Sequence, residues 1–340
     1  MSNHAQYRQL GKSGLRVSVP ILGAMSFGSE TWNSWVLPEG KALPIIKAAW
    51  DAGINTIDTA NMYSNGVSEE IIATFIRQNN IPRSRVVLLT KISFAPSENM
   101  ADNSAFTLGF AEKQRFMNQG GLSRTAIFNQ TDGCLTRLAT DYIDLLQIHA
   151  FDDSVPMEET MKALHDLVSS GKVRYLGACN LKAWQLGEMN YVAERHGWTQ
   201  FTSIQIEHSL LHRVHEVEMF AYCMYKGIGI IAYSPLYDGH LARPLGTDTA
   251  RSEAFKGTMF ARPLRESDKE IIQKAEEIAK KRSWTMSQVA LSWLTTKVTS
   301  PIVGLNSISR VAESIVEDKV LTEEEVKSLE ASYKYRPSRF

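Results

Sequence analysis

Asn55-Thr-Ile-Asp58-Thr-Ala-Asn-Met-Tyr63-Ser-Asn-Gly-Val-Ser-Glu69-Glu70 opens as a short buried strand, stops abruptly at Asp58, and delivers Tyr63 just past the break. Two further apolar runs end the same way, Val86-Val-Leu-Leu-Thr-Lys91 and Ile143-Asp-Leu-Leu-Gln-Ile-His149. An acid, a phenol, an amine and an imidazole therefore each stand where a strand gives way to a loop. In a parallel α/β barrel those strand ends share one rim, and that rim is where the chemistry sits.

Outward from this stretch the chain alternates without a break. Before it, Tyr7 to Val19 alternates on both sides of a glycine-containing turn, which predicts a hairpin able to plug the closed end of a barrel. Ile21 to Gly28 reads as a first strand, followed by a loop carrying Trp32 and Trp35, and then by a helix over Pro38–Ala52 that Gly53 stops. Ser68 with Glu69 and Glu70 reads as an N-cap with acids in the first turn. After the Lys91 strand the pattern stalls from Ser93 to Gly121, a stretch carrying Phe94, Phe106, Phe110 and Phe116 that predicts a partly structured lid. Later strands are expected at Val173–Asn180, Phe201–Gln205, Gly227–Pro235 and Pro301–Gly304, with helices between them, one of them around Val214–Tyr225. An irregular stretch over 234–266 and a terminal helix capped by Thr322 complete the chain. Eight short strands alternating with helices indicate a (β/α)8 TIM barrel of the α/β class, with an N-terminal hairpin plug and a C-terminal helix, as one domain over 1–340. An open doubly wound sheet is the alternative, but no G-x-G-x-x-G follows a strand.

Composition narrows the function. Lys+Arg and Asp+Glu balance at 37 each, so no global field favours nucleic acid or an anionic membrane, and any anionic ligand needs a local cationic site. Cys134, Cys179 and Cys223 are an odd set without a C-x-x-C pair, which argues against a disulfide framework or a structural zinc. No apolar N-terminal region and no apolar run of about 18 residues is present, so a cytoplasmic protein without signal peptide or membrane span is expected.

Singly, each rim residue has an ordinary explanation: Asp58 as a turn or cap residue, Tyr63 as packing, Lys91 as a solvated strand end, His149 as a structural histidine. Together on consecutive strands they suit carbonyl reduction. That reaction needs a proton donor at the oxygen, and a tyrosine, with an ordinary pKa of roughly 10, can supply it if a lysine beside it favours the phenolate. The buried lysine in turn needs a carboxylate. Asp58, Lys91 and Tyr63 fill those roles, His149 would polarise the carbonyl, and no metal is called for. Trp32, Trp35 and Phe94 suggest an apolar, aromatic substrate pocket.

These motifs resemble the aldo-keto reductases over nearly the whole chain. The resemblance is strongest in Asp58-Thr-Ala-Asn-Met-Tyr63, Thr90-Lys91, Asp141 to His149, Gly171 to Gly177, Tyr233-Ser-Pro-Leu236 and Pro301 to Gly304. Phe116 to Arg124, the Trp32/Trp35 pair and Ala183-Trp184-Gln185 make the chain similar to the fungal branch of aryl-alcohol dehydrogenases and versiconal hemiacetal acetate reductases. The resemblance implies an NADP(H)-dependent reductase of aldehydes or ketones with Asp58, Tyr63, Lys91 and His149 as its tetrad. It implies that Asn180 and Gln205 hold the nicotinamide carboxamide beside Cys179, which replaces the usual serine, and that Tyr233 stacks on the ring. Ser234, Leu236 and Gly239 would cradle the pyrophosphate. Gly304, Ser307, Arg310, Glu313 and Ser314 would form the adenosine-phosphate site, Arg310 pairing with the 2′-phosphate of NADPH. Partners are then a small carbonyl substrate, with neither nucleic acid nor membrane, in a monomer or dimer. The alternative is an NADP(H)-binding redox-sensing subunit like the potassium-channel β-subunits, which resemble this fold but lack the tetrad histidine. A barrel used purely as a structural partner would make the quartet a coincidence.

Overall fold

Eight parallel strands close on themselves in the computed structural model, which describes residues 4–103, 114–247, 250–257 and 261–337. Phe106 and Phe110 lie outside the described residues. The chain begins with an antiparallel hairpin, β1 (Gln6–Gln9) and β2 (Arg16–Val19). It then runs β3 (Ile21–Gly23), α1 (Glu39–Asp51), β4 (Thr56–Asp58), α2 (Val67–Gln78), β5 (Val87–Ile92), α3 (Arg124–Leu138), β6 (Ile143–Ile148) and α4 (Met157–Ser169). The second half holds β7 (Val173–Cys179), α5 (Ala183–His196), β8 (Phe201–Glu207), α6 (Met219–Lys226), β9 (Gly229–Tyr233) and α7 (Ala250–Phe255). It closes with α8 (Glu266–Arg282), α9 (Met286–Thr295), β10 (Ser300–Gly304), α10 (Ser309–Ser314) and α11 (Glu323–Glu330). Strands β3 to β10 follow one another around the barrel in chain order, with β10 closing onto β3. Among the described residues no helix is long and apolar enough to cross a membrane.

The two-residue period of a strand divides the barrel interior into an apolar floor and a polar rim. At the floor, Ile21, Leu89, Leu145, Ile231 and Ile302 pack together with Leu10 and Val17 of the hairpin. The expected plug is therefore real, and it is pinned: the Ser18 amide donates to Thr56 Oγ1 at 2.9 Å and Ser300 Oγ donates to the Ser18 carbonyl at 2.8 Å. Two residues further along β5, β6 and β9, the same inward face carries polar groups. Leu89 is followed by Lys91, Leu145 by Gln147 and Ile231 by Tyr233, with Lys91 opposite Gln147 and Gln147 opposite Gly177 in the sheet register.

Several boundaries differ from the sequence reading, each for a local reason. The first strand ends at Gly23, because the chain turns away to form the loop that carries Trp32 and Trp35. The expected helix over 214–225 divides into a 3-10 turn at Val214–Glu216 and α6. The irregular stretch over 234–266 contains a 3-10 turn at Tyr237–Ala242 and α7. Ser68 does not cap α2. Gly66 holds that position, and the buried Ser68 hydroxyl donates instead to the Ala24 carbonyl at 2.8 Å. Glu69 likewise serves the interior, accepting from Thr90 Oγ1 at 2.6 Å and from Arg137 Nε at 2.7 Å.

Gly28 shows how tightly the rim is built. A Cβ at Gly28 would stand 2.0 Å from Ser64 Oγ and 2.4 Å from Ser64 Cβ, so only glycine lets the β3 loop lie against the turn that carries Tyr63. Ser64 Oγ then accepts the Ser29 amide at 3.1 Å. Gly28→Ala should force these segments apart and cost about 1–3 kcal/mol, the usual range for overpacking. Urea unfolding would measure it, and wild-type stability would mean the turn yields freely.

Candidate active site

Lys91, fully buried at the end of β5, joins the rim residues. Its ammonium donates to Asp58 Oδ1 at 2.6 Å, to the Thr59 carbonyl at 2.8 Å and to the Tyr63 hydroxyl at 3.2 Å, which uses all three of its hydrogens. Asp58 is the last residue of β4, and Tyr63 begins a 3-10 turn over Tyr63–Gly66 whose Ser64 and Asn65 take left-handed backbone angles (φ 47° and 51°). That strained turn is held from outside. The Asn65 side chain accepts the Ser97 amide at 3.0 Å and donates to the Asn99 and Asp102 carbonyls at 3.1 and 2.9 Å. The His149 ring stands edge-on to Tyr63, with centroids 5.9 Å apart.

The second carboxylate oxygen of Asp58 accepts two amides, Gln205 Nε2 at 2.8 Å and Gln147 Nε2 at 3.1 Å, and Gln205 also donates to Gln147 Oε1 at 3.1 Å. Gln147 was absent from the sequence reading. Its signal is its position: it lies two residues before His149, hence on the same inward face, and is a polar residue in the buried half of its strand. Gly177 opposite makes room for it, since a Cβ there would stand 3.1 Å from Gln147 Cγ and 2.7 Å from Ser203 Oγ.

Burial and charge set the protonation states. Burial works against the Lys91 ammonium, but Asp58 and then Tyr63 outweigh it and raise its pKa. The sequence reading expected Lys91 to bring the Tyr63 phenol down. Lys91 does pull that way, yet burial outweighs it and leaves the phenol above its ordinary range, so Tyr63 holds its proton at neutral pH. Burial, and next the Lys91 charge, push His149 well below the usual imidazole value, so it is neutral. Its Nδ1 is buried without a hydrogen-bond partner among the described residues. A proton there would leave a buried N–H unpaired, so the tautomer with the proton on Nε2 is favoured. A neutral phenol held by an ammonium, beside an imidazole N–H, can protonate and polarise an oxygen placed between them.

The residues expected to hold a nicotinamide cofactor line the same rim in an arc. Tyr233 donates to Asn180 Oδ1 at 2.8 Å, and Asn180 Nδ2 donates to the His149 carbonyl at 3.2 Å. Gln205 is turned towards Asp58, and Cys179 is buried beside it, its thiol pushed up to about 12 by burial. Ser234 and Gly239 both have positive φ, 53° and 94°, with half-buried Leu236 between them. Arg262, missed by the sequence reading, donates to Ser234 Oγ at 3.3 Å while lying 2.8 Å from Glu207 and 2.7 Å from Asp238. Past the exposed Gly304, Ser307 Oγ lies 3.0 Å from Ser309 Oγ, and Glu313 accepts from Ser287 Oγ at 3.3 Å. Ser314 is buried, its hydroxyl donating to the Val311 carbonyl at 2.7 Å. Burial, and next the nearby Arg243, lower the pKa of Arg310, with Glu313 opposing. Arg243, a cation of the 234–266 stretch absent from the sequence-based expectations, is therefore close enough for its charge to act on Arg310.

Aromatic rings wall the approach to Tyr63 and His149. Trp32 lies 6.5 Å from Tyr63 and 6.4 Å from Trp35, and Phe94 lies 5.3 Å from His149, all as ring centroids. The stretch over 93–121 is closed at its base by the Gly121 amide on the Ser93 carbonyl (2.6 Å) and by Gln130, which accepts the Ser93 amide at 2.9 Å and donates to the Gly121 carbonyl at 3.0 Å.

Residues 21–334 match the model of the aldo/keto reductase family. The chain is 46% identical to an aldo-keto reductase of Fusarium vanettenii over 340 residues, 97% of this chain and 92% of the relative. It is 44% identical to the versiconal hemiacetal acetate reductase of Aspergillus parasiticus over 333 residues, 96% of this chain and 97% of the relative. A Saccharomyces cerevisiae protein provisionally named an aryl-alcohol dehydrogenase is 41% identical over 335 residues, 97% of this chain and 98% of the relative.

The two amides on Asp58 give a direct test of the site's construction. Gln147→Leu keeps the volume but removes one donor to a buried carboxylate, and should destabilise the protein by about 1–3 kcal/mol in urea unfolding. A loss below about 0.5 kcal/mol would mean that Gln205 alone satisfies that oxygen.

Proposed function

The chain belongs to the aldo/keto reductase family, and from that membership we propose that it is an NADPH-dependent carbonyl reductase in which Tyr63 supplies the proton. As a member it is an oxidoreductase acting on carbonyl or alcohol groups, and the family works with a nicotinamide cofactor. The observation that carries the finer reading is the Lys91 ammonium, which touches both Asp58 Oδ1 (2.6 Å) and the Tyr63 hydroxyl (3.2 Å) in a buried site.

The geometry supports the following roles. The reduced nicotinamide supplies the hydride to the carbonyl carbon. Tyr63 gives its proton to the carbonyl oxygen, and Lys91 stabilises the phenolate as it forms, which recovers its proton from solvent. Asp58 keeps Lys91 charged and fixed in direction. His149, neutral and protonated at Nε2, donates a hydrogen bond that orients the carbonyl oxygen. Asn180, Gln205 and Tyr233 serve the nicotinamide, with Cys179 packed behind them. Ser234, Leu236 and Gly239, backed by Arg262, serve the pyrophosphate. Gly304, Ser307, Arg310, Glu313 and Ser314 form the adenosine end, where Arg310 and Arg243 together favour the 2′-phosphate that distinguishes NADPH from NADH.

Trp32, Trp35 and Phe94 favour an apolar or aromatic aldehyde or ketone. We read the chain as a single domain, with 93–121 as its lid and 234–266 as its cofactor loop. Nothing observed favours the regulatory-subunit alternative.

Tyr63→Phe should leave NADPH binding near wild type and lower turnover about a hundredfold or more, measured as NADPH oxidation with a panel of aromatic and aliphatic aldehydes and ketones. Turnover surviving within a few-fold would mean another group donates the proton. Arg310→Ala should weaken NADPH at least tenfold more than NADH in fluorescence titrations, whereas equal losses would remove Arg310 from the 2′-phosphate site.

A further inference from the structure

Building on Tyr63 as the proton donor and on Trp32, Trp35 and Phe94 as substrate walls, we propose that Asn65 is a positioning residue. Through it, the segment that grips the substrate sets the Tyr63 hydroxyl, so that the body of a substrate is read in the rate of reduction and not in affinity alone. The three residues after Tyr63, Ser64, Asn65 and Gly66, all have left-handed backbone angles, with φ of 47°, 51° and 102°. Glycine accepts such angles freely, asparagine less so and serine poorly, and a run of them persists only where the surroundings over-determine it. On one side the β3 loop does so, through the Ser29 amide on Ser64 Oγ at 3.1 Å.

On the other side Asn65 does so with its whole side chain. Its Oδ1 accepts the Ser97 amide at 3.0 Å, and both Nδ2 hydrogens go to carbonyls, Asn99 at 3.1 Å and Asp102 at 2.9 Å. Those three partners belong to one compact turn organised by the Asp102 carboxylate. It accepts from Ser97 Oγ at 2.8 Å and from Asn99 Nδ2 at 3.2 Å, while the Asp102 amide donates to the Asn99 carbonyl at 3.0 Å. Arg115 donates to the same carboxylate at 2.8 Å and so ties the turn to the returning arm of the 93–121 stretch. Asn61 mirrors this two residues before Tyr63. Its Nδ2 donates at 3.0 Å to Gln130 Oε1, the oxygen that also accepts the Ser93 amide. The phenol is thus flanked at equal distance along the chain by two amides that bind it to the stretch over 93–121.

The segment that docks on Asn65 also has an apolar side. Met100, together with Phe94 and Trp35, packs against the cluster of Trp32, Met62 and Tyr63. One short piece of chain, 94–102, therefore gives hydrophobic side chains to the substrate walls and three backbone groups to Asn65. A substrate whose body packs on Phe94 and Met100 holds this piece down, and the piece in turn holds the turn that carries the phenol. A short aliphatic carbonyl makes few of those contacts and gains little from them. Binding energy from a non-reacting part of a substrate raises the rate when it improves the alignment of reacting groups, and a misplacement of about 1 Å can cost a hundredfold.

Asn65→Gly keeps the left-handed backbone and removes only the amide. Its single-turnover oxidation of NADPH should slow by about tenfold or more with benzaldehyde but by less than about threefold with propanal, with NADPH affinity as in wild type. Asp102→Ala loosens the 97–102 turn from the other side of the contact and should give the same split. In both variants hydrogen exchange over 62–68 should rise while the barrel strands keep their protection. Equal slowing with the two aldehydes would make Asn65 a fixture that conveys nothing from the substrate, and would overturn the proposal. Rates within about twofold of wild type in both variants would overturn it too. A wild type that oxidises NADPH with no aromatic or aliphatic aldehyde would overturn the reductase reading itself, and the role of Asn65 with it.

Discussion

An ammonium and a carboxylate, both withdrawn from water, 2.6 Å apart at the top of β4 and β5, constrain everything around them. Charges in that position are tolerated only when every donor and acceptor is satisfied, because the desolvation cost of each is several kcal/mol. Lys91 meets the condition with Asp58, the Thr59 carbonyl and Tyr63. Asp58 meets it with Lys91, Gln147 and Gln205, which draws β6 and β8 into the same network. Four strands therefore terminate on one ion pair. Its direction is fixed by neighbours that have little freedom of their own, which is the condition for holding a phenol at a chosen point.

The same interior serves two opposite needs by the simple alternation of a strand. Five aliphatic side chains and a hairpin make the floor dry, and the next inward residue on β5, β6 and β9 is an amine, an amide or a phenol. The floor excludes water from below, so the polar rim acts in a medium where each hydrogen bond counts for more than it would in solvent. Burial is felt differently by each group. It raises the phenol and lowers the imidazole, so both are neutral and each carries one hydrogen to donate.

How much of this was legible in the sequence depended on the range over which each feature is encoded. The strands and the residues at their ends are local: an apolar run followed by Asp58, Lys91 or His149 is visible from five or six letters. The partnership of Asp58 with Gln147 and Gln205 spans 89 and 147 residues and exists only once the barrel closes and turns the alternate strands β4, β6 and β8 onto one interior layer. Ser68 misled for a related reason. Its position before a helical pattern is what a cap looks like, but the preceding glycine took that role and freed the hydroxyl for the Ala24 carbonyl. Arg243 and Arg262 sit in a stretch without periodicity, where only the folded loop reveals that one approaches Arg310 and the other Ser234.

Both ends of the 93–121 stretch are held at one point, where a single glutamine bonds them and Ser93 meets Gly121 directly. A loop whose ends are already joined costs little more to close when it is lengthened, since the closure entropy grows only with the logarithm of its length. Such a segment is a replaceable cassette. Descendants of this sequence can exchange what lies between residues 103 and 114 for longer, shorter or differently shaped material while β5, α3 and the Ser97, Asn99 and Asp102 contacts that hold the Tyr63 turn stay in place. The barrel can in this way diversify in what it admits while inheriting its ion pair unchanged.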